Sequence, residues 1–140
     1  VTVLFPFKAP DQITEAALHT LADVFASAAP FEFRFDRLGR FPGVLYLAPE
    51  PAEAFKALTY AVVARFPACP PYGGVFGDEP TPHLTVAQSE DPATYAAIET
   101  GFRAVCAAVL PIRSRATAVL LMECRGDRYQ TRRRFALGAA

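Results

Sequence analysis

The sequence predicts an α+β domain: a two-lobed internal duplication of strand-helix-strand-strand units, with antiparallel-rich sheets lining a central cleft and helices outside. Three observations carry that expectation. Apolar residues recur at helical spacing in three stretches and at a period of two in segments between them. A Pro/Gly-dense segment at 67–81 divides the chain near its middle, and Val1-Thr2-Val3 and Leu84-Thr85-Val86 open the two halves alike. A single domain then covers residues 1–140, with lobe one at about 1–66, the connection at 67–81 and lobe two at about 82–140. Each lobe has roughly 60 residues, too few for a robust core alone, so the two are expected to fold as one unit.

Val1 to Phe7 is a β-branched and aromatic run closed by Pro6 and Lys8 and reads as a strand. From Asp11 to Ala28, Ile13, Ala17, Leu21, Val24 and Ala28 fall on one helical face, while Glu15, His19 and Asp23 step along another. That helix is amphipathic, with His19 on its wet side. Phe31, Phe33 and Phe35 alternate with Glu32, Arg34 and Asp36, the period of a half-buried strand. Pro42-Gly43 turns the chain into a short strand from Val44 to Ala48. A second helix runs from about Pro51 to Phe66, with the proline suited to a first turn and Phe55, Leu58, Val62 and Phe66 facing inward. Pro67, Pro70, Pro71, Gly73, Gly74, Gly77 and Pro80 then exclude helix or strand interiors from the connection.

After the connection, His83 to Gln88 reads as a strand. Asp91-Pro92 supplies an N-cap and first helical residue, and Tyr95, Ile98, Phe102, Val105 and Val109 face inward on the helix that follows. A β-rich segment from about Ile112 to Cys124 leads to a turn at Arg125-Gly126-Asp127 and a last strand from Arg128 to Leu137. Gly and Asp are turn formers, so this triplet reads as a hairpin turn and not as an adhesion signal.

The chain has 140 residues, 52% of them hydrophobic, and 14 basic residues balance 14 acidic ones. That composition excludes disorder for the bulk of the chain. A formal charge of zero also argues against coating duplex nucleic acid or anionic membrane by bulk electrostatics. The balance conceals an asymmetry: residues 1–109 hold 7 basic and 12 acidic side chains, residues 110–140 hold 7 and 2. No apolar run approaches a membrane span and no secretory signal opens the chain, so it reads as a soluble cytoplasmic monomer without a membrane partner. Cys69, Cys106 and Cys124 are odd in number and lack metal-ligand spacing, which fits free thiols in a reducing compartment.

The chemistry concentrates in His83-Leu84-Thr85-Val86. Residues two apart on a strand project from one face, so His83 and Thr85 point together while Leu84 and Val86 turn toward the core. Aligning Thr2 with Thr85 places the counterpart of His83 at the position immediately before Val1. This arrangement resembles the 2H phosphoesterase superfamily, which includes 2′-5′ RNA ligase-like proteins and cyclic nucleotide phosphodiesterases and is marked by two His-x-Thr/Ser-x motifs. Here the second motif is complete and the first is Val1-Thr2-Val3, continued by Leu4-Phe5-Pro6-Phe7. The resemblance spans essentially the whole chain, including Phe41-Pro42-Gly43-Val44-Leu45-Tyr46-Leu47.

The resemblance implies a metal-independent phosphodiesterase that opens 2′,3′-cyclic phosphates of RNA ends or small cyclic nucleotides, with reversible 2′-5′ joining of RNA ends as a side activity. Imidazole titrates near pH 6.5, so one histidine serves as base and another as acid at neutral pH. His83 is the catalytic candidate, and the resemblance puts a second histidine just before Val1. Thr2 and Thr85 hydroxyls are the candidate phosphate-binding donors, aimed at non-bridging oxygens. No cofactor or metal is called for. The alternative is a non-catalytic nucleotide or RNA-end binding module on the same fold.

Two further residues are candidate substrate contacts. Tyr46 lies between the inward-facing Leu45 and Leu47, so it projects to the other face, either to stack on a base or to pack. On the last strand Arg128, Gln130, Arg132 and Arg134 share one face, while Tyr129, Thr131, Arg133, Phe135 and Leu137 share the other. The arginine face looks either to solvent or to the cleft. Arg132 is the candidate phosphate contact, because a guanidinium fork suits phosphate geometry.

Overall fold

The Thr14 hydroxyl accepts the Ala17 amide at 3.2 Å, and helix α1 (Glu15–Ala26) begins there. The sequence placed this start at Asp11, but a 3₁₀ turn at Pro10–Gln12 occupies that place. The chain, seen in a computed structural model that describes residues 1–77 and 79–138, continues through β1 (Phe31–Phe41), β2 (Val44–Glu50), α2 (Glu53–Arg65) and β3 (Leu84–Gln88). It ends with α3 (Pro92–Val109), β4 (Ile112–Ala116), β5 (Ala118–Arg125) and β6 (Arg128–Ala136). Both halves carry helix-strand-strand in that order.

Packing divides the chain into two compact units, each drawing on both sides of the Pro/Gly connection. Unit one comprises Val1–Thr2, Glu32–Ala52 and Thr81–Ser114; unit two comprises Val3–Phe31, Glu53–Pro80 and Arg115–Ala140.

Unit one is built on a sheet of order β3-β2-β1-β4, in which β1 pairs with β2 and β2 with β3, both antiparallel. One irregularity decides what its faces carry. Phe35 pairs with Pro49 and Arg37 with Ala48, so Asp36 is an extra residue in β1. A bulge of this kind shifts the alternation by one. Phe33 and Phe35 therefore share a face with Leu38 beyond the bulge, and all three join Leu47, Val86, Phe102 and Cys106 in the core. Gly39 and Phe41 are left on the opposite face.

Helix α3 starts where the sequence predicts, with the Asp91 carboxylate accepting the Thr94 amide at 2.9 Å. The Thr94 hydroxyl and amide beside it hold the Asp91 carboxyl below its ordinary value. The inward stripe differs from expectation. Cys106 and Glu99 are buried, whereas Val105 and Val109 are more than half exposed, because the 3.6-residue period running through Tyr95 and Phe102 reaches 99 and 106. The buried Glu99 carboxylate pairs with Arg40 at 2.6 Å and Arg103 at 2.7 Å. Leu84 is also less buried than predicted, at 38% exposure: it is the first residue of an edge strand, with a sheet neighbour on one side only.

Unit two packs α1, α2 and the antiparallel β5–β6 hairpin around Leu18, Leu21, Phe25, Leu58, Val62 and Phe135. Each such side chain contributes roughly 1.5–3 kcal/mol through burial. The β-rich run predicted at 112–124 is two strands, β4 and β5, separated at Thr117. The hairpin has its own bulge: Leu121 pairs with Arg133 and Met122 with Thr131, leaving Arg132 between them. The alternation predicted for the last strand thus breaks at Arg132. Phe135 and Leu137 are buried, but Tyr129 is 64% exposed.

The strand predicted at Val1 to Phe7 does not form. Pro6 cannot donate to a ladder, and the segment is held by isolated bonds instead. The buried Thr59 hydroxyl of α2 donates to the Val3 carbonyl at 2.7 Å, and the Tyr72 amide donates to the Phe5 carbonyl at 2.6 Å. Cys69, Cys106 and Cys124 are free thiols, the first two buried. No described helix is long and apolar enough to cross a membrane.

Candidate active site

In unit one the register places Gly39, Tyr46 and Thr85 side by side across β1, β2 and β3, on the sheet face opposite the α3 core. Thr85 is exposed there. His83 precedes β3 and lies two residues before Thr85, on the same side. Its Nδ1 is 2.8 Å from the Thr81 carbonyl oxygen. A carbonyl only accepts, so Nδ1 is the donor in this contact and Nε2 is left as the nitrogen that can exchange a proton. The residue between, Pro82, is buried and fixes φ, which holds the Thr81 carbonyl against the ring that follows.

Three rings meet at this point. Tyr46 stacks on Phe41 with centroids 4.4 Å apart and planes 25° apart. His83 stands edge-to-face with Phe41 at 5.2 Å and lies 5.6 Å from Tyr46 at 62°. Of the residues singled out from the sequence, His83, Thr85 and Tyr46 thus come together on one face. Thr2 is exposed and packs within the same unit.

Arg132 belongs to unit two. Its Nη1 donates to the Pro10 carbonyl at 2.7 Å and its Nη2 to the Ile13 carbonyl at 3.1 Å, with Glu123 3.9 Å away. The guanidinium clasps the entry to α1 onto the hairpin, and its side chain remains 28% exposed. Arg132 itself lines a concavity of about 560 Å³ together with Asp11, Glu123, Arg125 and Gln130 among others; neither His-x-Thr segment contributes to it, and Glu123 is paired with Arg125. Among the described residues no three His, Cys, Asp or Glu side chains gather in a way that could hold a metal ion.

Sequence reading missed Gly39, Phe41 and the Thr81 carbonyl. A signal for the first two was present: a two-residue loop at Pro42-Gly43 pairs Phe41 with Val44, and counting back opposes Gly39 to Tyr46.

The model of the 2′-5′ RNA ligase superfamily matches residues 1–128. The chain belongs to this superfamily. Its members form a 2H phosphoesterase family of phosphoesterase and ligase-type enzymes acting on RNA and nucleotides. The fold of this superfamily member is similar to the crystal structure of TT0787 of Thermus thermophilus, with a TM-score of 0.66 at 21% identity. That likeness covers 98% of this chain and 76% of the other. No curated protein sequence matches it.

Proposed function

We propose that this superfamily member is a metal-independent phosphodiesterase that opens 2′,3′-cyclic phosphates of RNA ends or small cyclic nucleotides, and that the same ring opening with an RNA 5′-hydroxyl in place of water, bonding to phosphorus as the P–O3′ bond breaks, reversibly joins 2′-5′ ends. The observation that carries the reading is the His83 imidazole, tied at Nδ1 to the Thr81 carbonyl beside the exposed Thr85. Nε2 is the atom free to move a proton.

In the forward direction one histidine takes a proton from water as its oxygen bonds to phosphorus. The other protonates the ribose oxygen as the P–O bond of the ring breaks, leaving a phosphomonoester. His83 is one of the pair, and the histidine that the first motif calls for immediately before Val1 is the other. Thr85 and Thr2 hydroxyls donate to the non-bridging oxygens, where charge builds in the transition state. Arg132, engaged with backbone carbonyls, is left outside this scheme, and Tyr46 enters it through His83 and not through the substrate.

The test uses the full-length protein with a 2′,3′-cyclic mononucleotide and a cyclic-phosphate oligonucleotide, with and without a chelator. Turnover that survives chelation and disappears in His83→Ala is the expected result. No turnover by the unmodified protein favours the binding module, loss on chelation overturns the metal-free route, and full activity in His83→Ala overturns the site.

A further inference from the structure

Gly39 is a glycine without a backbone reason. It is not among the residues with positive φ, and glycine in a strand interior costs stability. Space explains it. A Cβ at position 39 would lie 2.3 Å from Tyr46 Cζ, 2.4 Å from Cε2 and 2.6 Å from the hydroxyl oxygen. The outer end of the tyrosine ring covers Gly39 and cannot easily withdraw: the residue is buried and stacked on Phe41.

That stack borders His83. One hydrogen bond at Nδ1 leaves an imidazole free to pivot about it. Phe41 at 84° and Tyr46 at 62° to the His83 plane occupy the space such a pivot needs. We propose that Gly39, Tyr46 and Phe41 are positioning residues that fix the direction of His83 Nε2, the absent side chain at 39 being what lets the ring pair close on the imidazole. Tyr46 is thereby assigned to orientation and not to stacking on a nucleobase, since Phe41 and the Gly39 backbone already cover it. This inference rests on His83 being the acid-base group proposed above.

The experiment combines two readouts on the full-length protein. Two-bond ¹H–¹⁵N spectra report the His83 tautomer without reference to activity, with assignment by loss of the signal in His83→Ala. Steady-state kinetics on a 2′,3′-cyclic mononucleotide separate kcat from KM. The unmodified protein shows the Nδ1-protonated tautomer. Gly39→Ala and Phe41→Leu shift His83 toward a tautomer mixture and lower kcat about 10²-fold, the penalty of a small misplacement, with KM within threefold. Tyr46→Leu added to Gly39→Ala, which makes room for the methyl group, restores part of the tautomer preference.

A folded Gly39→Ala that keeps both tautomer and kcat overturns the proposal. So does Tyr46→Leu raising KM at unchanged kcat, which would make Tyr46 a substrate contact. If Gly39→Ala fails to fold, Phe41→Leu decides by the same readouts. A tautomer that responds as described in a protein without turnover leaves the wall standing and removes the proposed function.

Discussion

The two motif segments carry the same threonine pattern and are held in different ways. His83 to Val86 lies along a sheet edge, where register with Tyr46 and Leu47 sets which side chains share a face. Val1 to Leu4 has no ladder; the Thr59 hydroxyl on the Val3 carbonyl and the Tyr72 amide on the Phe5 carbonyl fix its course. A short motif therefore specifies side chains without specifying the backbone that presents them. In the first segment that task falls to a residue 56 positions away in sequence and to a tyrosine held at φ 50° in the Pro/Gly connection.

The largest expected effect separates the segments at once: His83→Ala lowers kcat/KM by roughly 10² to 10⁴-fold, the range for a lost acid-base group. Next come the two hydroxyls. Thr85→Val and Thr2→Val each lower kcat by about 10²-fold if both donate to the phosphate; a loss at Thr85 alone, read by the same assay, would break the symmetry of the two segments. Thr59→Val removes the donor to the Val3 carbonyl and costs about 1–3 kcal/mol in a urea unfolding curve, with Thr59→Ser restoring it. An unchanged midpoint in the valine variant would show that the first segment is held by something else.

The smallest effect belongs to the helix that follows the second motif. The Asp91 carboxyl is held below its ordinary value near 3.8 by the Thr94 hydroxyl and amide, so its stabilisation is present above that value and lost as pH falls through the lowered one. Asp91→Asn keeps a cap but not the titration. The thermal midpoint of the unmodified protein should fall by a few degrees more than that of the variant on the acid side.

Much of this was legible in the sequence, for local reasons. Asp91-Pro92 located the start of α3, and the Phe31, Phe33, Phe35 alternation located β1, because caps and periods are written within a few residues. The first-segment strand was misread because its propensity is β while its proline denies it a ladder. His83 and Thr85 were visible as a motif. Gly39 and Phe41 were not, since the alternation of phenylalanine with charged residues ends at Asp36, where the bulge reverses it. The clasp made by Arg132 was hidden for a related reason, as its partners lie about 120 positions away.

The bulge at Asp36 has a consequence for how β1 tolerates change. Its side chain makes one exposed ion pair with Arg34 at 2.9 Å, which contributes little, so almost any residue serves at that position. Removing the position is equally mild for the faces of the sheet. Without it Phe35 still opposes Pro49 and Arg37 still opposes Ala48, so the strand runs in unbroken alternation and Gly39 and Phe41 stay on the side of Tyr46 and His83. What would turn them toward α3 is keeping residue 36 and losing the bulge: position 36 is safe only as the unpaired residue.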